Sequence, residues 1–154
     1  MLTELGLERY DELVIAIRVS RLFTGEKFTE APATVLLDHG QIVAVETRRV
    51  ELDESWDLAD YESATVLPGL IDTHVHLVAD SKIGALDRVP GLSDQELDAV
   101  VTDGLRRQLA AGVTTVRDLG DRHYAVVARR DLQRAGRTSE PEPTILASGP
   151  PLTT

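Results

Sequence analysis

The stretch Leu67–Leu77 reads LPGLIDTHVHL, and the fold can be worked out from it. Apolar residues surround one aspartate and two histidines, a pattern typical of a buried strand that carries polar chemistry toward one end. Residues two apart in a strand project from the same face, so we expect Asp72, His74 and His76 to share a face. The stretch therefore predicts a strand whose carboxyl end presents two imidazoles side by side.

Helical and strand patterns alternate after this stretch. Residues 92–112, LSDQELDAVVTDGLRRQLAAG, predict a helix, because Ser93 and Glu96 can form a capping box and Gly112 stands where helices commonly end. Further elements are predicted at Val113–Asp118 (strand), within residues 121–136 (a helix ended by Gly136) and at Thr144–Ala147 (strand). Strands separated by crossovers of this length pair in parallel, so the pattern indicates a parallel α/β sheet.

The residues before position 67 show short strands and turns instead. VIAIRVSRLF, residues 14–23, predicts a strand, and residues 33–47 predict a hairpin with Asp38-His39-Gly40 at its turn. The segment Glu51–Ser63 is acidic and poorly periodic, so we expect irregular or edge structure there. These patterns predict a small antiparallel β unit, with a domain boundary between residues 66 and 67.

The composition is typical of a globular protein and narrows the classes of function. The 154 residues are 42% hydrophobic, and 26 acidic against 16 basic side chains give a formal net charge of −10. No basic stripe is available for phosphates, which argues against nucleic acid, and a chain without cysteine has no disulfide or thiolate metal site. No apolar run has the length of a membrane span and the acidic N-terminus lacks a signal-peptide core, so we expect a soluble, cytoplasmic protein.

The two histidines are a candidate metal site. Neighbouring imidazoles on one face can converge on an ion at Zn–N distances of about 2.0–2.1 Å, and ligands collect at the carboxyl ends of parallel strands. The second ring nitrogen of such a ligand is commonly held by a carboxylate or a carbonyl, and Asp72 is a candidate for this role. The alternative is that His74 and His76 are core histidines bonded to backbone groups, because His-x-His is a short pattern.

Other polar residues stand near the strand ends, and structural roles are favoured for them. Asp118 and Ser148 follow the second and third parallel strands, on the edge where an active site would lie. A helix N-cap is the favoured role for Asp118 or Asp121, and a turn for Ser148. His123 is expected on the surface and His39 in the hairpin turn.

Four fragments resemble the amidohydrolase superfamily, the metal-dependent (β/α)8 hydrolases. VLPGLIDTHVHL, residues 66–77, is similar to the family's first barrel strand, Pro-Gly-(Leu/Phe)-(Ile/Val)-Asp-x-His-x-His. DHGQIVAVE, residues 38–46, resembles a hairpin of its N-terminal β-sandwich, with Gln41 where a basic residue is common. AAGVTTVRDLGD and PTILASGPPLTT resemble the second and third strands, the latter as in the imidazolonepropionase-like and prolidase-like branch. Their order identifies the chain as a member from about residue 13 to residue 154.

The resemblance implies a fold and a chemistry. The expected fold is α/β, with the first three strands of a (β/α)8 TIM barrel over residues 67–154 and part of a small antiparallel β-sandwich over residues 1–66. His74 and His76 match two metal ligands, and one or two divalent ions, zinc being the expected one, would activate a water that hydrolyses a C–N bond of an amide or cyclic amide or amidine. The family's remaining ligands and its proton-transfer aspartate lie on later strands. The chain is therefore expected to be an N-terminal portion, inactive alone.

Two other kinds of function stay open. The chain could be a non-catalytic interaction module whose open sheet edges pair with a second copy or with a separately encoded second half. It could also bind a metal with His74 and His76 in trans across a dimer.

Overall fold

The computed structural model describes residues 14–54 and 56–152, and the chain divides into two compact units between Pro68 and Gly69. None of the helices within these described ranges is long and apolar enough to cross a membrane. Residues 1–13, in which we expect no signal peptide, lie outside the described residues, so that expectation stays a prediction.

The first unit is a five-stranded sheet built around its first strand. Its strands are β1 (Ile15–Phe23), β2 (Phe28–Thr29), β3 (Ala33–Asp38), β4 (Gln41–Glu46) and β5 (Asp57–Val66). β1 pairs antiparallel with β2 and β3, β3 pairs with β4, and β5 lies parallel to β1. Within Glu51–Ser63, the described residues before Asp57 form no helix or strand, and β5 is an edge strand that pairs only with β1 among the described strands, so the expectation of irregular or edge structure is confirmed. The expectation of a purely antiparallel unit is wrong, because β5 lies parallel to β1.

The predicted hairpin is confirmed as the connection between β3 and β4. His39 and Gly40 form its two-residue turn, and both have positive φ, 47° and 75°. A two-residue turn with two left-handed residues matches the twist of the strands that it joins. The His39 ring lies beside Asp38, with 2.6 Å between Nδ1 and Oδ1.

The second unit alternates parallel strands with helices. Its elements are β6 (Leu70–Val75), α1 (Ala85–Arg88) followed by a 3-10 turn (Val89–Gly91), α2 (Asp94–Ala110), β7 (Val113–Asp118), α3 (Ala125–Arg134) and β8 (Thr144–Ala147). The three strands pair in parallel in the order β6-β7-β8. The predicted bounds of β7 and β8 are confirmed, whereas the strand expected in the stretch Leu67–Leu77 spans only Leu70–Val75, after Pro68 and Gly69.

Helix α2 has the predicted capping box. The Ser93 hydroxyl accepts from the Glu96 N–H at 3.3 Å, and the Glu96 carboxylate accepts from the Ser93 N–H at 2.8 Å. Gly112 follows the helix with a φ of 86°, a backbone conformation that other residues adopt with difficulty. Gly136 has the same left-handed conformation after α3, with a φ of 64°.

The helices cover one face of the parallel sheet and define its core. Leu97, Val101 and Leu105 of α2 and Val126 of α3 are buried together with Val75, Val116 and Ile145 of the three strands. On the opposite face, Ile71 and Leu146 remain exposed. The sheet therefore has one closed side, under the helices, and one open side.

Candidate functional site

An extra residue in β6 decides which side chains reach the candidate site. Asp72 pairs with Val116 and Val75 pairs with Asp118, so three steps along β6 correspond to two along β7. This bulge puts Asp72 on the same side as buried Val116, which is the side under the helices. The prediction that Asp72 shares a face with both histidines is wrong, because strict alternation does not hold across a bulge.

Asp72 acts on the backbone rather than on an imidazole. Its Oδ1 accepts a hydrogen bond from the His74 N–H at 3.1 Å, and its Oδ2 accepts from the Gln108 side chain of α2 at 3.3 Å. The carboxylate therefore holds the bulged backbone at His74 against the helix. Asp72 was expected to orient the second ring nitrogen of a histidine, but a backbone carbonyl, that of Gly120, has this position beside His76.

The two histidine rings lie next to each other at the carboxyl end of β6. Their centroids are 5.5 Å apart, and the ring planes meet at 73° in an edge-on arrangement. His74 lies within β6 and is exposed, while His76 directly follows the strand and is half-buried. The neighbouring positions that the sequence predicts for the imidazoles are present in the structure.

A backbone carbonyl orients the His76 ring. The Gly120 carbonyl oxygen lies 3.3 Å from Nδ1 of His76. A carbonyl can only accept, so this contact assigns the proton to Nδ1 and leaves the Nε2 lone pair available to a ligand. No side-chain pattern in the sequence could have revealed this partner, because any residue type at position 120 would carry the same carbonyl.

Asp118 is buried between two loops. Its Oδ2 accepts from the Leu77 N–H at 2.7 Å and its Oδ1 from the Gly120 N–H at 3.0 Å. Burial raises the pKa of this carboxyl and the nearby Asp121 raises it further, although the two N–H bonds and His76 act in the opposite direction. Of the two residues named as possible N-caps, Asp118 does not have this role, because its carboxylate bonds to these loops and not to the start of α3.

Asp121 is the carboxylate that caps α3. Its Oδ2 accepts from the N–H groups of Val126 and Val127, at 3.0 and 3.2 Å. Of the two residues for which an N-cap role was favoured, Asp121 is thus the one that bonds to the start of α3, although Tyr124 occupies the N-cap position itself.

The remaining candidates have structural roles. Ser148 lies in the turn after β8, where its N–H donates to the Asp118 carbonyl at 3.1 Å and its hydroxyl donates to the Gly149 carbonyl at 3.3 Å. His123 is exposed, with its Nδ1 3.1 Å from an oxygen of Asp94. Their predicted turn and surface positions are confirmed.

A groove of about 510 Å³ runs beside the histidines along the open edge of β6. It is lined by both rings, by Asp72 of β6, by Leu86 of α1, and by Arg107 and Gln108 of α2. The groove therefore combines two imidazoles with a carboxylate, a guanidinium and an apolar wall.

The imidazole pair fits part of a site for a divalent metal. Neutral imidazole nitrogens are common zinc ligands, and the bond from Nδ1 of His76 to a carbonyl is the usual second contact of a ligating histidine. A catalytic zinc site has three protein ligands as a rule. Within residues 14–54 and 56–152, no group of three or more histidine, aspartate or glutamate side chains is placed to hold an ion.

Comparison with solved structures finds this fold in several hydrolases. An Xaa-Pro dipeptidase with bound methionine in its active site aligns with a TM-score of 0.74 at 24% identity, over 90% of this chain and 34% of its own. A prolidase complexed with N-methylphosphonate-L-proline aligns with a TM-score of 0.66 at 26% identity, over 88% and 32%. A molinate hydrolase aligns with a TM-score of 0.71 at 25% identity, over 92% and 31%. The chain thus spans about a third of the length of these proteins.

A comparison with curated protein sequences found no match. The model of the amidohydrolase family matches residues 65–154, which include β6, both histidines, β7 and β8. The mixed α/β structure is similar to the folds of that family. Because the family model matches more than half of the length of this chain, the chain belongs to the amidohydrolase family.

Proposed function

We propose that the chain is the N-terminal portion of a metal-dependent amidohydrolase that hydrolyses C–N bonds of small amide or cyclic amide substrates. In this proposal residues 67–154 form the first strand–helix units of a (β/α)8 barrel, and residues 1–66 form part of a β-sandwich. The observation that carries the proposal is the pair of neighbouring rings of His74 and His76 at the carboxyl end of β6, where ligands of parallel α/β proteins collect.

His74 and His76 would hold a divalent ion, with zinc the expected one. Such an ion, when bound, polarises a water molecule so that it can attack the carbonyl carbon of the substrate. The Gly120 carbonyl keeps the proton of the His76 ring on Nδ1, away from the ion, and Asp72 holds the backbone at His74. The groove beside β6 leaves space for a small substrate next to both rings.

The similar structures support a hydrolytic role. They are a dipeptidase, a prolidase and a molinate hydrolase, and each is about three times as long as the part that aligns with this chain. Because the described residues supply two imidazoles and no third side chain placed with them, we expect the 154-residue chain alone to bind metal weakly and to hydrolyse amides at a negligible rate.

Titration of the purified chain with Zn²⁺, followed by calorimetry, tests the metal site. We expect one weak site in the wild type that disappears in His74→Ala and in His76→Ala. His39→Asn is the matched control, since it removes an imidazole from the other unit and asparagine tolerates the left-handed turn conformation. Zn²⁺ binding that persists in both alanine variants would contradict the proposal.

The mass of the chain in solution separates this proposal from a self-associating interaction module. The enzyme proposal expects a Zn²⁺ content that depends on His74 and His76, whatever the oligomeric state. If the chain is an interaction module, it should form a defined dimer or higher oligomer, and its Zn²⁺ content should be the same with and without the two histidines. Light scattering and metal analysis on the same samples distinguish the two.

A further inference from the structure

Asp118 is a buried carboxylate with both oxygens occupied. Its relative exposure is 0%, among apolar neighbours such as Val116 in the core of the second unit. Taking a carboxylate out of water is unfavourable unless hydrogen bonds compensate, so a group in this position normally has a specific bonding role. The two N–H groups that compensate Asp118 indicate what that role is.

The two N–H groups lie on either side of His76. Leu77 is the next residue in the chain after His76, and its N–H donates to Oδ2 of Asp118 at 2.7 Å. Gly120 is the residue whose carbonyl lies 3.3 Å from the His76 ring, and its N–H donates to Oδ1 at 3.0 Å. One carboxylate therefore holds both the backbone that follows the imidazole and the residue that contacts its Nδ1.

Gly120 packs so closely against His76 that the position of its backbone determines the orientation of the ring. A Cβ at position 120 would lie 3.3 Å from Nδ1 of His76 and 3.7 Å from Pro151. The preceding residue is fixed as well, because the Leu119 N–H donates to the Val75 carbonyl at 3.0 Å. The loop is thus tied to the end of β6 on both sides of the contact with the ring.

We infer that Asp118 is a positioning residue that fixes the Nδ1–H tautomer and the orientation of His76 through Gly120. The inference rests on the proposed function, in which Nε2 of His76 binds a metal. Asp118 does not act on substrate or ion itself, since each of its oxygens already accepts a backbone N–H. Asparagine at this position would turn an NH₂ group toward one of the two donors, so one of the two bonds would be lost.

The tautomer can be measured without metal, by long-range ¹H–¹⁵N correlation spectra of the imidazole rings in the full chain. We expect His76 to carry its proton on Nδ1 in the wild type. In Asp118→Asn we expect a shift toward the Nε2–H form that an unconstrained neutral imidazole prefers. Zn²⁺ affinity should fall about 10-fold, the low end of what loss of an outer-shell partner causes, because Asp118 acts through Gly120.

Asp121→Asn is the matched control. It alters a second buried carboxylate three residues away, which caps α3 and has no bond to the ring. We expect it to lower the stability of the unit while the His76 tautomer stays as in the wild type. A change of tautomer in both variants would show a general loosening of the loop and would overturn the inference, as would an unchanged tautomer in folded Asp118→Asn.

The wild type alone provides a test if Asp118→Asn does not fold. The Leu77 and Gly120 amides should then exchange slowly with D₂O, and His76 should still show the Nδ1–H form; rapid exchange at Gly120 or a proton on Nε2 overturns the inference. The proposed function fails separately. A fixed His76 tautomer without Zn²⁺ binding contradicts the metal site, whereas Zn²⁺ binding with a tautomer insensitive to Asp118→Asn contradicts the positioning role.

Discussion

Gly69→Ala should destabilise the second unit strongly, because β6 begins in contact with β7. A Cβ at position 69 would lie 2.1 Å from Oγ1, 2.3 Å from Cγ2 and 2.7 Å from Cβ of Thr114. Carbon atoms in contact are normally about 3.5–4.0 Å apart, so the strands would have to separate by roughly 1 Å. Rotation of the Thr114 side chain moves Oγ1 and Cγ2 away but leaves its Cβ in place.

The expected cost is about 3 kcal/mol, the upper end of the range for an overpacked site, because no rotamer relieves the overlap. At roughly 2–4 °C per kcal/mol for a chain of this size, the melting temperature should fall by about 6–12 °C. Urea and thermal unfolding followed by circular dichroism measure both quantities. Gly91→Ala is the control, since nothing lies within 4 Å of a Cβ there and the residue does not have a positive φ.

A second substitution at Thr114 tests the cause of that loss. In a Thr114→Ala background the Cβ at 2.7 Å remains, so Gly69→Ala should still cost about 2–3 kcal/mol. In a Thr114→Gly background the obstacle is gone and the cost should be close to zero. The intrinsic effect of each change at Thr114 cancels in the double-mutant cycle. Equal costs of Gly69→Ala in all three backgrounds would refute the explanation by strand contact.

Two further substitutions have expected effects on α2. Gly104→Ala should raise the free energy of unfolding by about 1 kcal/mol, which is the difference in helix propensity between the two residues. The added Cβ would lie at an ordinary contact distance of 3.6 Å from Leu77, so no clash offsets this gain. Unfolding in urea measures the change, and a loss of stability would contradict the packing described. Hydrogen bonds from Ser93 hold the pKa of Glu96 below its ordinary value of 4.5, so the stability that this carboxylate contributes is present above that pH and is lost as the pH falls. Between pH 5 and pH 3 the wild type should therefore lose more stability than Glu96→Gln, and equal losses would argue against the pKa shift.

The sequence predicted the second unit closely wherever an element is determined by residues next to one another in the chain. Ser93, Glu96 and Gly112 mark the ends of α2 by their own side chains or by the lack of one, and β7 and β8 are short stretches rich in β-branched residues between turns. The first unit was harder, because β5 pairs in parallel with a strand some forty residues earlier. Most of the β5 residues are exposed, so the segment has no alternating pattern that could reveal it.

In the candidate site, too, the features that depend on local spacing were predicted, and those that depend on distant parts of the chain were not. The neighbouring positions of His74 and His76 agree with their spacing of two residues, although His74 lies within the irregular pairing between Asp72 and Val75. The position of Asp72 does not agree with its spacing, since a bulge depends on how β6 pairs with β7 and not on the residues of β6 alone. The groups that hold His76 could not be predicted for a related reason: one is a backbone carbonyl, and Asp118 lies 41 residues from the N–H that it accepts.

The parallel pairing of β1 with β5 has a consequence for synthesis on the ribosome. When the nascent chain has emerged as far as Glu46, β1 can pair with β2 and β3, but its other side still presents unpaired N–H and C=O groups. Ala16 and Val19, which are buried in the finished unit, lie on this strand. Because a long-range pairing must wait for its second strand, the first unit completes its sheet only after Val66 has emerged. During that interval an unprotected strand edge is available to other chains, so a codon change that slows translation between residues 46 and 66 would favour aggregation without altering any amino acid.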